Sequence, residues 1–283
     1  MAKRFAARLP RVASVALVAG AMALSPLPAR VAVPSAYAST PLPDSMASLG
    51  DSITRGFNGC GLFVDCPPRS WSTGFDPAVN SHYLRIRAKN RSLTAHNDAQ
   101  SGAKVAALEG QAETAVRQDV EYVTILIGAN DACASSESAM TSVRTFKSQF
   151  RTAMRTLRDG LPDAAIFVSS IPDIKRLWFI AKDQVNARLA WSTFAICQSL
   201  LADPLSTDRA DEARRDRVRQ RVIDYNRALE QVCREDDNCK FDGNAVFKYR
   251  FALRHVSVWD YFHPSTAGQA VLADVTYRKG FDW

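Results

Sequence analysis

A mostly parallel β-sheet covered by helices on both faces is the fold this sequence predicts, on three observations. Short apolar segments alternate with helical ones along most of the chain, an order that builds crossover units and a parallel sheet. The run Glu121 to Ile127 (Glu-Tyr-Val-Thr-Ile-Leu-Ile) is apolar and β-branched with little alternation, as a strand covered on both sides is. Strands ending near residues 49, 96 and 127 each pass into a polar turn, and a parallel sheet delivers such turns to one edge, where ligands collect.

The first 38 residues read as a secretory leader and stand outside that fold. Lys3, Arg4, Arg8 and Arg11 form a basic start, Val12 to Leu24 is apolar, and Ala36-Tyr37-Ala38 offers a small-x-small cleavage site. The apolar run falls short of the roughly 20 residues a bilayer span needs. The leader also accounts for the basic balance. The chain has 36 basic and 29 acidic residues; five of the basic ones and none of the acids lie in 1–38, leaving a net +2. Such a balance gives no support to a nucleic-acid partner. Residues 39–283 are expected to be one exported domain, extracellular and monomeric.

Six cysteines, all beyond the leader, read as disulfides in an exported chain. The two Cys-x5-Cys loops suggest local bridges, Cys60 with Cys66 and Cys233 with Cys239, and Cys133 and Cys197 then pair by elimination. Neither loop has the close spacing or the neighbouring histidine of a zinc site.

Taken in order, Ala47 to Leu49 is a strand running into Gly50-Asp51-Ser52. A strand that stops at glycine and turns into a helix exposes the next side chain and its N–H together, which suits a serine nucleophile and an oxyanion donor. An ordinary polar turn is the commoner use of these residues, so the rest of the chain has to decide. Residues 57–77, rich in Gly, Pro and Ser, read as a loop stapled by its cysteines rather than packed. Val79 to Lys89 reads as a helix, Ser92 to His96 as a strand and Lys104 to Gln118 as a helix of strong helix formers. After 121–127 and Gly128-Ala129-Asn130-Asp131, Glu137 to Arg158 is the longest helix, with Val143, Phe146, Phe150, Met154, Leu157 and Leu161 on one face.

Beside that face runs a basic stripe of Arg144, Lys147, Arg151, Arg155 and Arg158. Transient contact with anionic lipid is one use of such a stripe; a solvated outer face is the commoner one. Ala164 to Ser169 is a fourth strand. The helical region from Ile174 to about Leu201 carries Leu177, Trp178, Phe179, Ile180, Trp191, Phe194 and Ile196, enough apolar bulk to wall an acyl pocket or simply to fill core. Arg209 to Arg234 is a charged helix, Ala245 to Phe247 a fifth short strand, and Thr266 to Val275 a final helix.

Acyl transfer to a serine needs a base, a group to orient it and donors for the oxyanion. His263 is the candidate base, with Asp260 three residues earlier able to reach its other ring nitrogen. The donors would be the backbone N–H of Ser52, that of Gly102, where a missing side chain permits close approach, and the Asn130 amide. His82, His96 and His255 lack such a partner and are given no role. Asp51 and Asp131 read as turn and cap residues.

Gly50-Asp51-Ser52, Ser101-Gly102, Gly128-Ala129-Asn130-Asp131 and Asp260-Tyr261-Phe262-His263-Pro264 resemble, in order, the four blocks of the SGNH (GDSL-type) hydrolases, across residues 47–265. The resemblance implies a flavodoxin-like three-layer α/β/α sandwich on a five-stranded sheet and hydrolysis of a carboxylic ester through an acyl-enzyme. It implies Ser52 as nucleophile and donor, Gly102 and Asn130 as donors, and His263 as base. Members of that family orient the histidine with a carboxylate or with a backbone carbonyl; Asp260 is the carboxylate here. The stretch Ile127 to Cys133 is similar to the phospholipase B-like branch. No metal or organic cofactor is required. The partner expected is a small-molecule or lipid ester, with a carbohydrate acetylesterase and a non-catalytic binding module on the same fold as the competing readings.

Overall fold

The computed structural model describes Ala2 and residues 41–283; the expected leader at 1–38 lies outside the described residues. Five parallel strands form the sheet: β1 (Ser45–Gly50), β2 (Thr94–Asn97), β3 (Tyr122–Leu126), β4 (Ala165–Val168) and β5 (Cys239–Phe241), in the order β2-β1-β3-β4-β5. β1, β3 and β4 are almost wholly buried, because the helices cover both faces and leave no solvated side to alternate toward. The order reverses between β1 and β3. That switch point is where the ends of β1 and β3 part and a crevice opens beyond their carboxyl ends.

Right-handed crossovers place the connections on opposite faces on either side of the reversal. On one face lie α2 (Leu108–Arg117), α4 (Val143–Gly160) and α8 (Arg209–Cys233), with α2 packed on α4 and α4 on α8. On the other, α1 (His82–Arg87) meets α10 (Thr266–Tyr277) through a His82 Nε2 to Thr276 Oγ1 hydrogen bond of 2.7 Å. Short helices α3 (Ala129–Ala132), α5 (Ile174–Ala181), α6 (Val185–Thr193), α7 (Gln198–Leu201) and α9 (Ala245–Lys248) fill the strand ends and the long connection after β4.

Several expectations need correction. The fifth strand is Cys239–Phe241, and Ala245–Lys248 is a helical turn. Asp242 accepts from the Asn244 and Val246 N–H groups at 2.8 and 3.0 Å, which starts a helix where apolar composition alone suggested a strand. The 57–77 loop is packed as well as stapled: Trp71 is fully buried and donates from Nε1 to Thr54 Oγ1 at 3.2 Å. Its Ser72 and Thr73 hydroxyls meet Thr124 of β3 and Ser48 of β1 at 2.6 and 3.0 Å, so the loop satisfies the polar side chains of the central strands.

The stretch after Ser52 is a series of turns, not a helix, since Gly56 and Asn58 take left-handed φ values of 65° and 61°. The 174–201 region is three helices, the last two separated where Ala195 and Cys197 adopt φ of 48°. Much of the basic stripe on α4 turns inward to the end of α8: Lys147 donates to Gln231 at 2.7 Å, Arg151 grips Glu235 with two nitrogens at 2.9 and 2.6 Å, and Arg158 donates to the Glu235 carbonyl. Arg144 and Arg155 stay exposed. All three expected bridges form: Cys60–Cys66, Cys133–Cys197 and Cys233–Cys239.

Candidate active site

Ser52 stands two residues past β1, and its position is fixed by what surrounds Gly50. Gly50 has φ of 145°, and a Cβ there would lie 2.2 Å from the Leu126 carbonyl oxygen of β3; only glycine lets the strand end bend so close to its neighbour. Gln111 of α2 clamps the same residue, accepting from the Gly50 N–H at 2.7 Å and donating to its carbonyl at 2.9 Å. Asp51 Oδ1 accepts the Ile53 N–H at 2.9 Å, and Gln269 of α10 donates to the Ile53 carbonyl at 2.7 Å. Both faces of the sandwich therefore hold the turn.

His263 arrives from the far end of the chain. An antiparallel bridge between Val256 and Pro264, with Ser257 N–H donating to the His263 carbonyl at 2.8 Å, folds 256–264 into a tight excursion before α10. Asp260 Oδ1 accepts the N–H groups of Phe262 and His263 at 2.9 and 3.1 Å, so the carboxylate organises its own turn. Its other oxygen, Oδ2, meets His263 Nδ1 at 2.5 Å, and His263 Nε2 meets Ser52 Oγ at 2.7 Å. The rings of Phe57 and Phe262 lie 4.8 and 5.1 Å from the imidazole.

Burial pushes the Asp260 carboxyl up, but the His263 hydrogen bond and charge and the two backbone donors outweigh it and hold Asp260 below the ordinary carboxylate range. An ionised carboxylate only accepts, so the proton of neutral His263 sits on Nδ1 and Nε2 is left to accept from the Ser52 hydroxyl. That is the tautomer a general base for Ser52 requires.

The two remaining turns meet each other. Asn130 Nδ2 donates to the Ala103 carbonyl at 2.9 Å, next to Gly102, and keeps its second N–H. Asp131 joins the same turns, accepting from Val105 N–H at 2.9 Å and from the Thr141 hydroxyl at 2.7 Å. Its role is to tie two turns together, beyond the local cap the sequence suggested. Among the described residues, neither the Ser52 nor the Gly102 N–H is taken up by a protein acceptor. Gly102 has φ of 81° and nothing within 4 Å of where a Cβ would stand, so its glycine character serves the left-handed turn rather than a crowded approach.

Asp51 and Asp131, next to Ser52 and Asn130 in sequence, are both fully buried. Burial drives Asp51 up to about 7; the Ile53 N–H and the charge of His263 pull it down, and Asp131 pushes it up. Asp131 is also raised, by burial, against the pull of the Thr141 hydroxyl and the Val105 N–H. Of the histidines given no role, His96 is exposed, His82 is buried at the α1–α10 contact, and His255 is buried with Nδ1 accepting the Ala252 N–H at 3.1 Å.

Sequence neighbours of Ser52, Asn130 and His263 wall an apolar pocket. Ile53, Ala129, Phe262 and Pro264 line it with Ile174, Leu177 and Ile180 of α5 and Phe251, Val256 and Leu272. Trp178 and Trp191, expected beside them, instead donate to the carbonyls of Pro204 and Tyr261 at 2.8 and 3.0 Å, and Phe179 and Phe194 are exposed. Sequence reasoning missed Gln111, Gln269 and Asn58. The two glutamines carried a signal: each is a polar residue on the buried face of its helix.

Residues 48–271 match the GDSL-like lipase/acylhydrolase family. The chain belongs to that family. A mouse relative, membrane-associated phospholipase B1, is 27% identical over 169 residues, 47% of this chain and 11% of the mouse protein; this chain therefore spans a small part of that relative's length. An α/β hydrolase from the metagenome of Lake Arreo superposes with a TM-score of 0.53 at 16% identity, over 83% of this chain and 94% of that one. An extracellular lipase from Streptomyces rimosus gives 0.50 at 16% identity, over 83% and 99%. The fold of these hydrolases is thus shared.

Proposed function

We propose that residues 39–283 act as a secreted serine esterase domain on acyl esters, lipids foremost, through an acyl-enzyme on Ser52. The observation that carries this reading is the hydrogen-bonded line from Ser52 through His263 to Asp260, whose sequence neighbours wall an apolar pocket. In the proposed reaction His263 Nε2 takes the hydroxyl proton as Ser52 Oγ bonds to the ester carbonyl carbon. The displaced electron pair moves onto the carbonyl oxygen, toward the N–H groups of Ser52, Gly102 and Asn130. Its return breaks the bond to the alcohol, which leaves with the proton from His263. Water then repeats the sequence on the acyl-enzyme, and Asp260 steadies the imidazolium in both halves. Each oxyanion donor is worth roughly 2.7 to 4 kcal/mol in such a step.

The pocket supports acyl chains of several carbons over acetate, since a deacetylase needs room only for a methyl group. Leu62, Phe63, Val64 and Phe194 are exposed, with Phe63 and Phe194 edge-to-face at 4.7 Å and Phe57 linking Phe63 to His263. This supports lipid contact on that side of the molecule rather than along α4. Three disulfides support an oxidising, extracellular setting.

The test is the initial rate across p-nitrophenyl esters from acetate to palmitate, for wild type and Ser52→Ala together. We expect a Ser52-dependent optimum at medium or long chains. An optimum at acetate would favour a carbohydrate acetylesterase. Turnover retained by Ser52→Ala would refute the nucleophile, and inactivity on every chain would favour a binding module.

A further inference from the structure

The geometry points to Asn58 as a positioning residue for Asp260, held in place by the Cys60–Cys66 loop; this rests on the Ser52–His263–Asp260 reading above. Asn58 is 2% exposed and lies 202 residues from Asp260 in sequence, yet its Nδ2 donates to Asp260 Oδ2 at 2.7 Å. That is the same oxygen that takes the His263 Nδ1–H. With Oδ1 engaged by two backbone N–H groups, the carboxylate receives four donors and has no freedom to rotate away from the imidazole.

The orientation of the Asn58 amide follows from its partners. Asp260 is ionised and accepts, so the NH2 end faces it, and the other end accepts the Phe63 N–H at 2.6 Å. The main chain of Asn58 is also held: its N–H donates to the Val64 carbonyl at 2.9 Å, and its carbonyl accepts from Ser257 Oγ at 3.2 Å. Its φ of 61° suits asparagine and glycine among few residues. Phe63 and Val64 belong to the segment that Cys60–Cys66 closes. The bridge thus confines the two residues that grip Asn58, and Asn58 transmits that confinement to Asp260.

A residue that merely packs and one that donates to Asp260 differ in what substitution does to the pH profile. The titratable groups facing this network are Asp260, His263 and, across the serine, Asp51. Asn58→Gly keeps the left-handed backbone and deletes the amide. Leaving a buried carboxylate short of a donor should lower kcat by about tenfold to a hundredfold, with KM within about twofold. Asn58→Asp keeps the acceptor for Phe63 but donates to Asp260 only while the new carboxyl is protonated, as one of two adjacent carboxyls is at low pH.

The experiment is kcat/KM against pH for wild type, Asn58→Gly, Asn58→Asp and Ser52→Ala, with melting temperature recorded for each. We expect the wild-type profile to rise to a plateau and that of Asn58→Asp to rise only at higher pH, because a second carboxylate beside Asp260 favours the charged imidazole of His263. Wild-type kcat in Asn58→Gly, or a profile of Asn58→Asp that rises at the wild-type pH, would overturn the positioning role. If Asn58→Gly fails to fold, Asn58→Asp still decides. Activity surviving in Ser52→Ala would instead overturn the underlying reading and is told apart by that variant alone.

Discussion

His82 shows how one buried side chain sets a pH limit on the fold. Thr276 Oγ1 donates to the Leu272 carbonyl at 2.6 Å, so it accepts from His82 Nε2–H, and Nδ1 accepts from the Tyr122 hydroxyl at 2.8 Å. Both ring nitrogens are satisfied in the neutral form and a second proton has no place. Burial, helped by the charge of Arg85, pushes His82 down to about 3 from an ordinary 6.5. Above pH 6.5 neither folded nor unfolded chain carries the extra proton. Below it the unfolded chain takes one and the native chain does not, so stability falls until the pH reaches about 3. Between pH 6.5 and 4.5 this group alone should remove roughly 2 to 3 kcal/mol. Asp51, raised by burial to about 7, works in the opposite direction across this window, and a difference measurement cancels it. Urea unfolding of wild type and His82→Gln at the two pH values should show the variant less stable at pH 6.5 but losing about 2 kcal/mol less on acidification. Equal losses in the two proteins would remove His82 from the account.

Among the elements, α5 is where the proposed preference for longer acyl chains is tested, since Ile174, Leu177 and Ile180 stand on the pocket side while Phe179 faces solvent. Ile180→Trp should fill the far wall and lower kcat/KM for long p-nitrophenyl esters by at least about tenfold, leaving acetate nearly unchanged. A uniform loss on all chain lengths would mean that α5 does not meet the acyl group. Elements of this kind are legible in sequence to the extent that their own residues decide them. β3 was readable because Tyr122 to Leu126 are all buried, and α4 because its buried residues recur at helical steps. β5 was not: Cys239-Lys240-Phe241 is three residues on the sheet edge, placed by pairing with Ile166 to Val168 and by the bridge to Cys233, and an edge strand this short has no periodicity. The four blocks of the site could be read from local turn chemistry. The Asn58–Asp260 contact could not, because a hydrogen bond across 202 residues exists only once the sheet order brings the loop after β1 beside the turn before α10.

Over the whole molecule, stability and activity should separate onto different bridges. Cys133–Cys197 joins residues 64 apart, from the end of α3 to the start of α7, and closing a loop of that length is worth about 4 kcal/mol on the chain-entropy view. Cys60–Cys66 spans six residues and is worth about 2. The native junction at Cys133 does not depend on the long bridge alone, because Ser199 donates from Oγ to the Ala132 carbonyl at 2.7 Å and from N–H to the Ala134 carbonyl at 2.9 Å. The loop at Cys60 is held beside its bridge by Asp65, which accepts from Arg55 Nε at 2.9 Å, and by the Cys66 N–H on the Arg55 carbonyl at 3.1 Å, but these contacts reach Phe63 and Val64 only through the chain. Cys133→Ser/Cys197→Ser should therefore lower the melting temperature by roughly 10 °C while esterase activity at 25 °C stays within about twofold. Cys60→Ser/Cys66→Ser should melt only a few degrees lower and yet lose more activity, with KM held. Differential scanning calorimetry beside steady-state kinetics on both double variants tests this. If activity instead follows melting temperature across the two, the bridges act on global stability alone, and the short loop has no separate hold on Asp260.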